Sequence, residues 1–266
     1  MLLIAEKINT INKKVSEALA KKDRKFFEDF ALKQLESKLI DALDLNIGSD
    51  ISVEPENMKW VVRIIESVTE GKVPLSIDSS NPDTILAGFE AMKNKKGAFI
   101  NSISLQSGRY EKLLPLAKEY DLNIIALPIE KSDISNNAEE RYKIAQKIST
   151  VVSDFGIPLS RLYIDCLVTP IAISTKNALV SIDTLKNIKK NIPECKTIIC
   201  VAGISFGIPN KDILNSRFLT ILAYEGIDAI LMDPFDKQIL DTIYAVNLIL
   251  DKDEFCMNYL KYSKMQ

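Results

Sequence analysis

Acidic and amide side chains stand at the ends of three apolar stretches of this sequence. Asp78, Asn101 and Asp165 each follow a short run rich in Ile, Leu and Phe. A carboxylate only accepts hydrogen bonds, whereas an amide both donates and accepts them. Together these groups suit a flat heterocycle that carries several N–H donors. If the fold brings the three side chains together, the sequence predicts binding of a pterin-like ring and an enzyme that acts on it.

The elements that would position these side chains alternate between strand-like and helix-like segments, which is typical of parallel βα units. We predict strands at 2–6, 41–47, 74–78, 98–103, 123–129, 162–167, 197–203 and 229–233, and helices at 24–37, 57–69, 82–93, 109–119, 138–154, 176–190, 211–225 and 236–250. Eight such pairs close a (β/α)8 TIM barrel, in which the carboxyl ends of the strands meet at one mouth. The sequence therefore predicts an α/β fold with one domain over residues 1–266, in which 251–266 form a C-terminal extension with a short helix.

Further polar residues stand at other predicted strand ends. Glu6 follows the first strand, and Asp44 and Asn46 lie on the second. Each also has an ordinary structural interpretation, because Asp and Asn cap helices and close turns. For Asp78 the two interpretations carry about equal weight, although Asn81, directly before Pro82, is the better cap for the next helix. Six of the eight predicted strands deliver a carboxylate or an amide to the same rim.

The segment after the seventh strand offers a different kind of contact. Gly203 and Gly207 permit close approach of the backbone to a ligand, and Ser205 lies between them. The glycines do not have the spacing of a phosphate-binding loop or a dinucleotide fingerprint. Lys211 opens the next helix near the rim, where it either pairs with a carboxylate tail of the ligand or is simply solvated.

Composition narrows the classes of function. The 34 basic and 36 acidic residues give a formal charge of −2, and no basic stripe indicates nucleic-acid binding. No apolar run approaches the ~20 residues of a membrane span, and the first residues resemble a strand more than a signal peptide, so a cytoplasmic location is the default expectation. The four cysteines lack CxxC spacing and the chain has no His, so no bound metal is predicted. Proton transfer would then fall to carboxylates, Lys, Tyr or water.

Several motifs together resemble the pterin-binding methyltransferase family, in particular the stand-alone methyltetrahydrofolate:corrinoid (iron-sulfur) protein methyltransferases. The motifs occur in order along nearly the whole chain: 3–9, 44–48, 77–81, 100–102, 163–165, 215–219 and 226–229. The resemblance implies a barrel that forms homodimers and takes methyltetrahydrofolate or tetrahydrofolate as substrate. It also implies a partner corrinoid protein that supplies the cobalamin at the mouth. Asp78, Asn101 and Asp165 would then be the catalytic residues and would bind the pyrimidine edge of the pterin.

The residues that the resemblance implies as pterin- or folate-binding are Glu6, Asp44, Asn46, Asp78, Asn101, Asp165, Gly203, Ser205 and Lys211. In this family a methyl group moves between N5 of the folate and cobalt. Because an amine is a poor leaving group, N5 must gain a proton or a strong hydrogen bond as the methyl departs.

The sequence departs from the family pattern in three places. Gly203 stands where the family has an Asn that approaches N5, and the loss of one such donor commonly costs about 100- to 1,000-fold in rate. Cys166 replaces a Pro, and Lys211 replaces an Arg. Because of these departures, a non-catalytic or weakly active pterin-binding scaffold is retained as an alternative function. A dihydropteroate synthase is less favoured, because its glycine-rich second loop and its late Lys/Ser/Arg set are missing. A zinc-dependent methyltransferase that acts on a thiol is disfavoured, because the sequence lacks the His/Cys cluster that would bind the zinc.

Overall fold

Eight parallel strands close into a barrel in the order in which they occur along the chain. The structure is a computed structural model, and it describes residues 1–48, 50–106, 108–131 and 133–264. The strands are β1 (Leu2–Asn9), β2 (Ala42–Asn46), β3 (Leu75–Asp78), β4 (Phe99–Ile103), β5 (Asn123–Ala126), β6 (Leu162–Asp165), β7 (Lys196–Cys200) and β8 (Ala229–Met232). The predicted single-domain TIM barrel is confirmed.

Helices follow every strand and form the outer layer of the barrel. They are α1 (Lys13–Ala20), α2 (Arg24–Gln34), α3 (Glu54–Thr69), α4 (Pro82–Ala91), α5 (Arg109–Glu119), α6 (Ala138–Asp154), α7 (Asn177–Asn191), α8 (Lys211–Tyr224), α9 (Lys237–Ile249) and α10 (Met257–Ser263). In the part of the chain that is described, no helix is both long enough and apolar enough to cross a membrane.

The sequence predicts no helix before residue 24, so α1 is found only in the structure. It is only eight residues long, and only Val15, Ala18 and Leu19 are buried on its inner face. Asn12 caps it by accepting a hydrogen bond from the backbone N–H of Lys14 at 3.1 Å. So short an apolar stripe between lysines and glutamates carries little periodic signal.

Three strands are shorter than predicted. The apolar runs at 123–129, 162–167 and 197–203 continue beyond β5, β6 and β7, but their last residues leave the sheet. Leu167 adopts a φ of 50°, which a strand cannot contain, and residues 201–205 form a 3-10 turn. These residues are apolar because they pack beneath the outer helices, where Val201 and Ile204 are buried.

The C-terminal extension contains the short helix that was predicted for it. A 3-10 turn over Glu254–Cys256 leads into α10, and the ring of Tyr262 stacks on Tyr244 of α9 at 4.0 Å between centroids. Residues 265–266 lie outside the described residues, as does Ser107, which precedes the helix predicted at 109–119 and is a candidate signal for its start. The other start signal is confirmed, because the Asn81 side chain accepts from the backbone N–H of Asp83 at the start of α4.

The barrel interior has an apolar lower part and a polar upper part. Its apolar part is a separate cluster of eight buried residues, contributed by seven strands: Ile4, Ala42, Phe99, Ile125, Tyr163, Ile198, Ala229 and Leu231. Side chains alternate between the two faces of a strand, so the interior positions two residues further along lie nearer the mouth. On β1, β2, β4 and β6 these positions carry four of the predicted site residues, Glu6, Asp44, Asn101 and Asp165.

Candidate functional site

Strand periodicity places the predicted site residues inside the mouth of the barrel. Glu6, Asn101 and Asp165 each lie two residues beyond an interior apolar residue of β1, β4 or β6. The strand register places three positions side by side at the rim. Asn46 of β2 pairs with Asp78 of β3, and Asp78 pairs with Asn101 of β4. The structure therefore brings these five side chains to one cup.

Hydrogen bonds link the side chains of β2, β3 and β4. The Asn46 Nδ2 donates to Asp78 Oδ2 at 2.8 Å. One layer deeper, Asp44 Oδ1 accepts from Ser76 Oγ at 2.6 Å and from Asn101 Nδ2 at 3.0 Å. Asp44 is only 2% exposed, so the structure gives it a supporting position beneath Asn101. The bond to Asp44 orients the Asn101 amide, with its oxygen left to accept from a ligand.

Burial makes the carboxyl groups of the cup harder to ionise. Desolvation raises the pKa of Asp78 to about 6, against the lowering effects of the Asn46 hydrogen bond and the positive charge of Arg109. Desolvation also raises the pKa of Asp165 to about 6. The pKa of Asp44 lies well above its usual range, because of burial and then the nearby charge of Asp78. Near neutral pH the two upper carboxyls are ready to accept N–H donors, which a ligand would supply.

On the opposite side of the mouth, β1 and β7 form a second contact. The Cys200 thiol lies 3.1 Å from Glu6 Oε2 and donates to it. Burial raises the pKa of the Glu6 carboxyl, and the Cys200 bond and the charge of Lys7 partly oppose that shift. Lys7 points to the other side and pairs with Asp233 after β8, with 2.9 Å between Nζ and Oδ2.

Two predicted site residues occupy the loop after β7 and the start of α8. Ser205 is buried, and its hydroxyl donates to the carbonyl of Ala202 at 3.3 Å. Lys211 is the first residue of α8 and borders a small cavity with Glu6 and Asp233. The structure thus keeps both near the rim, although Ser205 is engaged with its own loop.

Gly203 lies where a side chain would not fit. A Cβ built on Gly203 would stand 2.4 Å from Cγ1 of Val168 in the β6–α7 loop, far inside van der Waals contact. The two loops are also joined by the backbone, since Ile171 N–H donates to the Ile204 carbonyl at 3.0 Å. Val168 therefore fills the volume that a larger residue at 203 would need.

Arg109, which does not stand at a strand end and so is not predicted from the sequence, holds the loops that follow two of the site residues. Its Nη2 donates to the Ser79 carbonyl at 2.6 Å and its Nε to the Ser102 carbonyl at 2.7 Å, and Nη1 donates to the carbonyl of Ser80. Its charge also acts on Asp78. Arg109 is thus a positioning residue for β3 and β4.

Arg141 has the same role for the loop after β6. It is fully buried, with Nε donating to the Ser135 carbonyl at 2.7 Å and Nη1 to the carbonyls of Cys166, at 3.0 Å, and Leu167. The Leu167 N–H in turn donates to Asp165 Oδ1 at 2.7 Å. Helical spacing with Ala145, Ile148 and Val152 indicates that Arg141 faces inward, but this spacing does not indicate what its guanidinium contacts.

Replacing Arg109 by Lys tests its positioning role. Lysine keeps the positive charge but cannot donate three bonds in the fork geometry of a guanidinium. We expect tetrahydrofolate, the ligand that the sequence resemblance implies, to bind about tenfold more weakly, which corresponds to about one lost charged hydrogen bond. Isothermal titration with tetrahydrofolate measures this, with Arg63→Lys on the exposed face of α3 as the matched control. Equal affinities for the two variants would contradict the role.

No cation site accompanies these residues. Within 1–48, 50–106, 108–131 and 133–264, no group of three or more His, Cys, Asp or Glu side chains is arranged to hold a metal ion. The polar groups in the cup are carboxylates, amides, a thiol and hydroxyls, and their oxygen acceptors suit an organic ligand with several N–H groups.

Acids and amides thus line the mouth of this TIM barrel at the strand ends, and comparison with known proteins identifies the family. The profile of the family described as pterin binding enzyme matches residues 10–233, and the chain belongs to this family. A methylcorrinoid:tetrahydrofolate methyltransferase from Eubacterium limosum is 27% identical over 263 residues, which is 98% of this chain and 95% of that protein. Methionine synthase from Mycobacterium leprae (strain TN) is 28% identical over 86% of this chain but only 20% of its own length.

Solved structures with the same fold include dihydropteroate synthases. The enzyme from Yersinia pestis, bound to a pterine-sulfa conjugate, has a TM-score of 0.65 and 16% identity, and the match covers 94% of each chain. The enzyme from Xanthomonas albilineans with 7,8-dihydropteroate has a TM-score of 0.63 and 16% identity, over 94% of this chain and 92% of that one. At this identity the likeness supports the fold alone.

Proposed function

We propose that this protein transfers a methyl group between N5 of tetrahydrofolate and the cobalt of a corrinoid carried by a partner protein. The observation that carries the proposal is the match over nearly the full length of both chains to a methylcorrinoid:tetrahydrofolate methyltransferase. The match to methionine synthase covers 86% of this chain but only 20% of that protein, so it supports the proposal less directly.

The site fits this substrate. Asp78, Asn101 and Asp165 present two carboxylates and an amide to the flat pyrimidine edge of a pterin, which carries N–H donors and acceptors. Carboxylates of pKa about 6 are largely ionised at neutral pH and accept such donors strongly. Binding from three different strands also fixes the plane of the ring, so that its reduced half faces the open mouth, where the methyl group is exchanged.

The test is a methyl transfer assay in both directions. The protein is mixed with free cob(I)alamin and 5-methyltetrahydrofolate, or with methylcobalamin and tetrahydrofolate, and the cobalt absorption spectrum is followed. Transfer that depends on the protein supports the proposal. Tight folate binding without transfer to free or protein-bound corrinoid would instead indicate a non-catalytic pterin-binding subunit.

The rim of the mouth has an apolar surface that suits a docked corrinoid protein. Phe206 and Ile173 are each 76% exposed on the adjacent loops after β7 and β6, and Ile11 and Ile51 are exposed on the loops after β1 and β2. Large exposed apolar side chains around a concave site are typical of a surface that binds another protein. We infer that the partner covers this rim when its cobalt faces the pterin.

Replacing Phe206 by Asp tests the docking rim. A charge at this position should slow transfer with the protein-bound corrinoid by about tenfold or more, because a buried aromatic anchor commonly contributes over ~2 kcal/mol to an interface. The rate with free methylcobalamin should stay within about twofold of the wild-type rate. The matched control is Tyr224→Asp, an equally exposed aromatic on α8 and away from the mouth. Equal losses with both corrinoids would contradict docking at Phe206.

Two further expectations belong with this function. We expect a homodimer, which size-exclusion chromatography with light scattering tests, and a location in the cytoplasm, which fractionation of the native cells tests.

A further inference from the structure

The proposed methyl transfer needs a group that gives a proton to N5 and takes it back, and none of the residues assigned so far has that role. When the N5–CH3 bond breaks, the nitrogen must gain a proton, and when that bond forms, N5 must lose one. Asp78, Asn101 and Asp165 lie on β3, β4 and β6, so they hold the pyrimidine edge on that side of the mouth. The fused reduced ring, which contains N5, then extends toward the opposite sector, formed by β7, β8 and β1.

The loop after β7 cannot serve N5 through a side chain at position 203. Gly203 has none, and Val168 occupies the volume that a Cβ would need. Ser205, two residues later, is buried and donates to the carbonyl of Ala202. The group that exchanges the proton must therefore come from another position in the same sector.

We propose that Glu6 is the acid–base residue for N5 and that Cys200 is the positioning residue that holds its carboxyl group. Glu6 projects from the upper end of β1 into the mouth, and its Oε2 is fixed at 3.1 Å from the Cys200 thiol of β7. That contact bridges the sector in which the reduced ring would lie. It engages one carboxyl oxygen and leaves Oε1 available to the ligand.

Charge and burial around Glu6 suit this role. Desolvation raises the pKa of Glu6, and the charges of Asp233 and Asp78 add to that effect, while Lys7 and the Cys200 bond oppose it. Asp44 of β2 is a further buried carboxyl near it. A carboxyl whose pKa is moved toward neutrality can release and accept a proton at working pH. Lys7 Nζ is itself paired with Asp233 Oδ2 at 2.9 Å, so its charge does not keep Glu6 in the ionised form.

The proton and electron balance is complete in each direction. When methyl leaves the folate, its bond to N5 breaks, the electron pair stays on nitrogen, and Glu6 gives its proton to N5 while cobalt(I) supplies the pair for the new Co–C bond. When methyl arrives, the Co–C pair stays on cobalt, the N5 pair forms the new bond, and ionised Glu6 takes the N5 proton. The inference rests on the proposed methyl transfer.

Glu6→Gln is the decisive variant, because the amide keeps the shape and the bond to Cys200 but carries no exchangeable acid. We expect the single-turnover rate between 5-methyltetrahydrofolate and free cob(I)alamin to fall about 100- to 10,000-fold. The Kd for tetrahydrofolate should rise far less, by about tenfold at most, as for the loss of one hydrogen bond to the ligand. The wild-type rate in this direction should fall as pH rises through the pKa of Glu6, and the rate from methylcobalamin to tetrahydrofolate should rise. Neither of these two pH dependences should be present in the Glu6→Gln variant.

Two substitutions of Cys200 test its positioning role. Cys200→Ala should slow transfer and move the pH midpoint of the rate, since the thiol bond favours the ionised form of Glu6, whereas Cys200→Ser keeps a donor and should restore both. A Glu6→Gln protein with the wild-type rate or pH profile would overturn the assignment. If the wild-type protein binds tetrahydrofolate but transfers no methyl group, the proposed function itself is wrong, and the assignment of Glu6 fails with it.

Discussion

Replacing Asp78 by Asn is expected to weaken tetrahydrofolate binding by about 30- to 1,000-fold while making the protein more stable. The affinity falls because a carboxylate that accepts N–H donors in a buried site is replaced by an amide that presents its own N–H groups to them. Loss of one partner in a buried, charged hydrogen bond costs about 2–4 kcal/mol. Asn46 keeps an acceptor, since the new amide oxygen can take over from Asp78 Oδ2.

The gain in stability follows from the sign of the pKa shift. Asp78 has a pKa of about 6 in the folded protein and 3.8 as an ordinary Asp, so the folded state binds more protons between these pH values. The free energy of unfolding of the wild type therefore decreases as pH rises from about 4 to about 6. Asparagine removes that penalty, so the variant should gain about 1–3 kcal/mol at pH 7, and the gain should disappear near pH 4.

Thermal unfolding at pH 4, 5, 6 and 7.5, together with isothermal titration of tetrahydrofolate, measures both effects. Asp154→Asn, at the exposed end of α6, is the matched control and should change neither. A variant that binds folate as the wild type does would exclude Asp78 from the pterin site. A variant less stable than the wild type at pH 7.5 would show that the ionised Asp78 is compensated in the ligand-free protein.

Much of this site could be predicted because a TIM barrel converts positions in sequence into positions in space. Once the strands are located, the residue that ends each strand must lie at the mouth, and alternation decides whether it faces inward. Asp78, Asn101 and Asp165 were found in this way. The same logic placed Glu6 on β1, although its contact with Cys200 joins residues 194 positions apart and leaves no local trace in the sequence.

The two arginines show what such reasoning misses. Arg109 starts a helix and Arg141 lies within one, where the default interpretation of an arginine is a solvated surface group. Their guanidinium groups instead bind backbone carbonyls, including some in loops that are 25 to 30 residues away. Such contacts depend on loop conformations, including the left-handed Leu167, which strand and helix periodicity does not specify.

At Gly203 the family pattern and the structure lead to opposite expectations for an Asn side chain. The family resemblance implies that an Asn at this position would supply a hydrogen bond to N5, and in the structure Val168 occupies the volume that its side chain would need. We therefore expect Gly203→Asn alone to lower both the melting temperature and the rate of methyl transfer, since its Cβ would stand 2.4 Å from Val168 Cγ1. Overpacking of this kind commonly costs about 1–3 kcal/mol.

The double variant Gly203→Asn with Val168→Ala separates the steric effect from the chemical one. Removal of Cγ1 frees the volume, so the double variant should regain most of the lost melting temperature and carry a new amide donor in the sector of Glu6. Placed in the Glu6→Gln background, it should raise the single-turnover rate with free cob(I)alamin at least tenfold, because one donor at a transition-state charge is commonly worth about 100- to 1,000-fold. Val168→Ala alone, in the same background, is the control and should not raise the rate. If the double variant folds and binds folate but leaves the Glu6→Gln rate unchanged, the ring does not place N5 between β7 and β1, and Glu6 loses its position beside the reacting nitrogen.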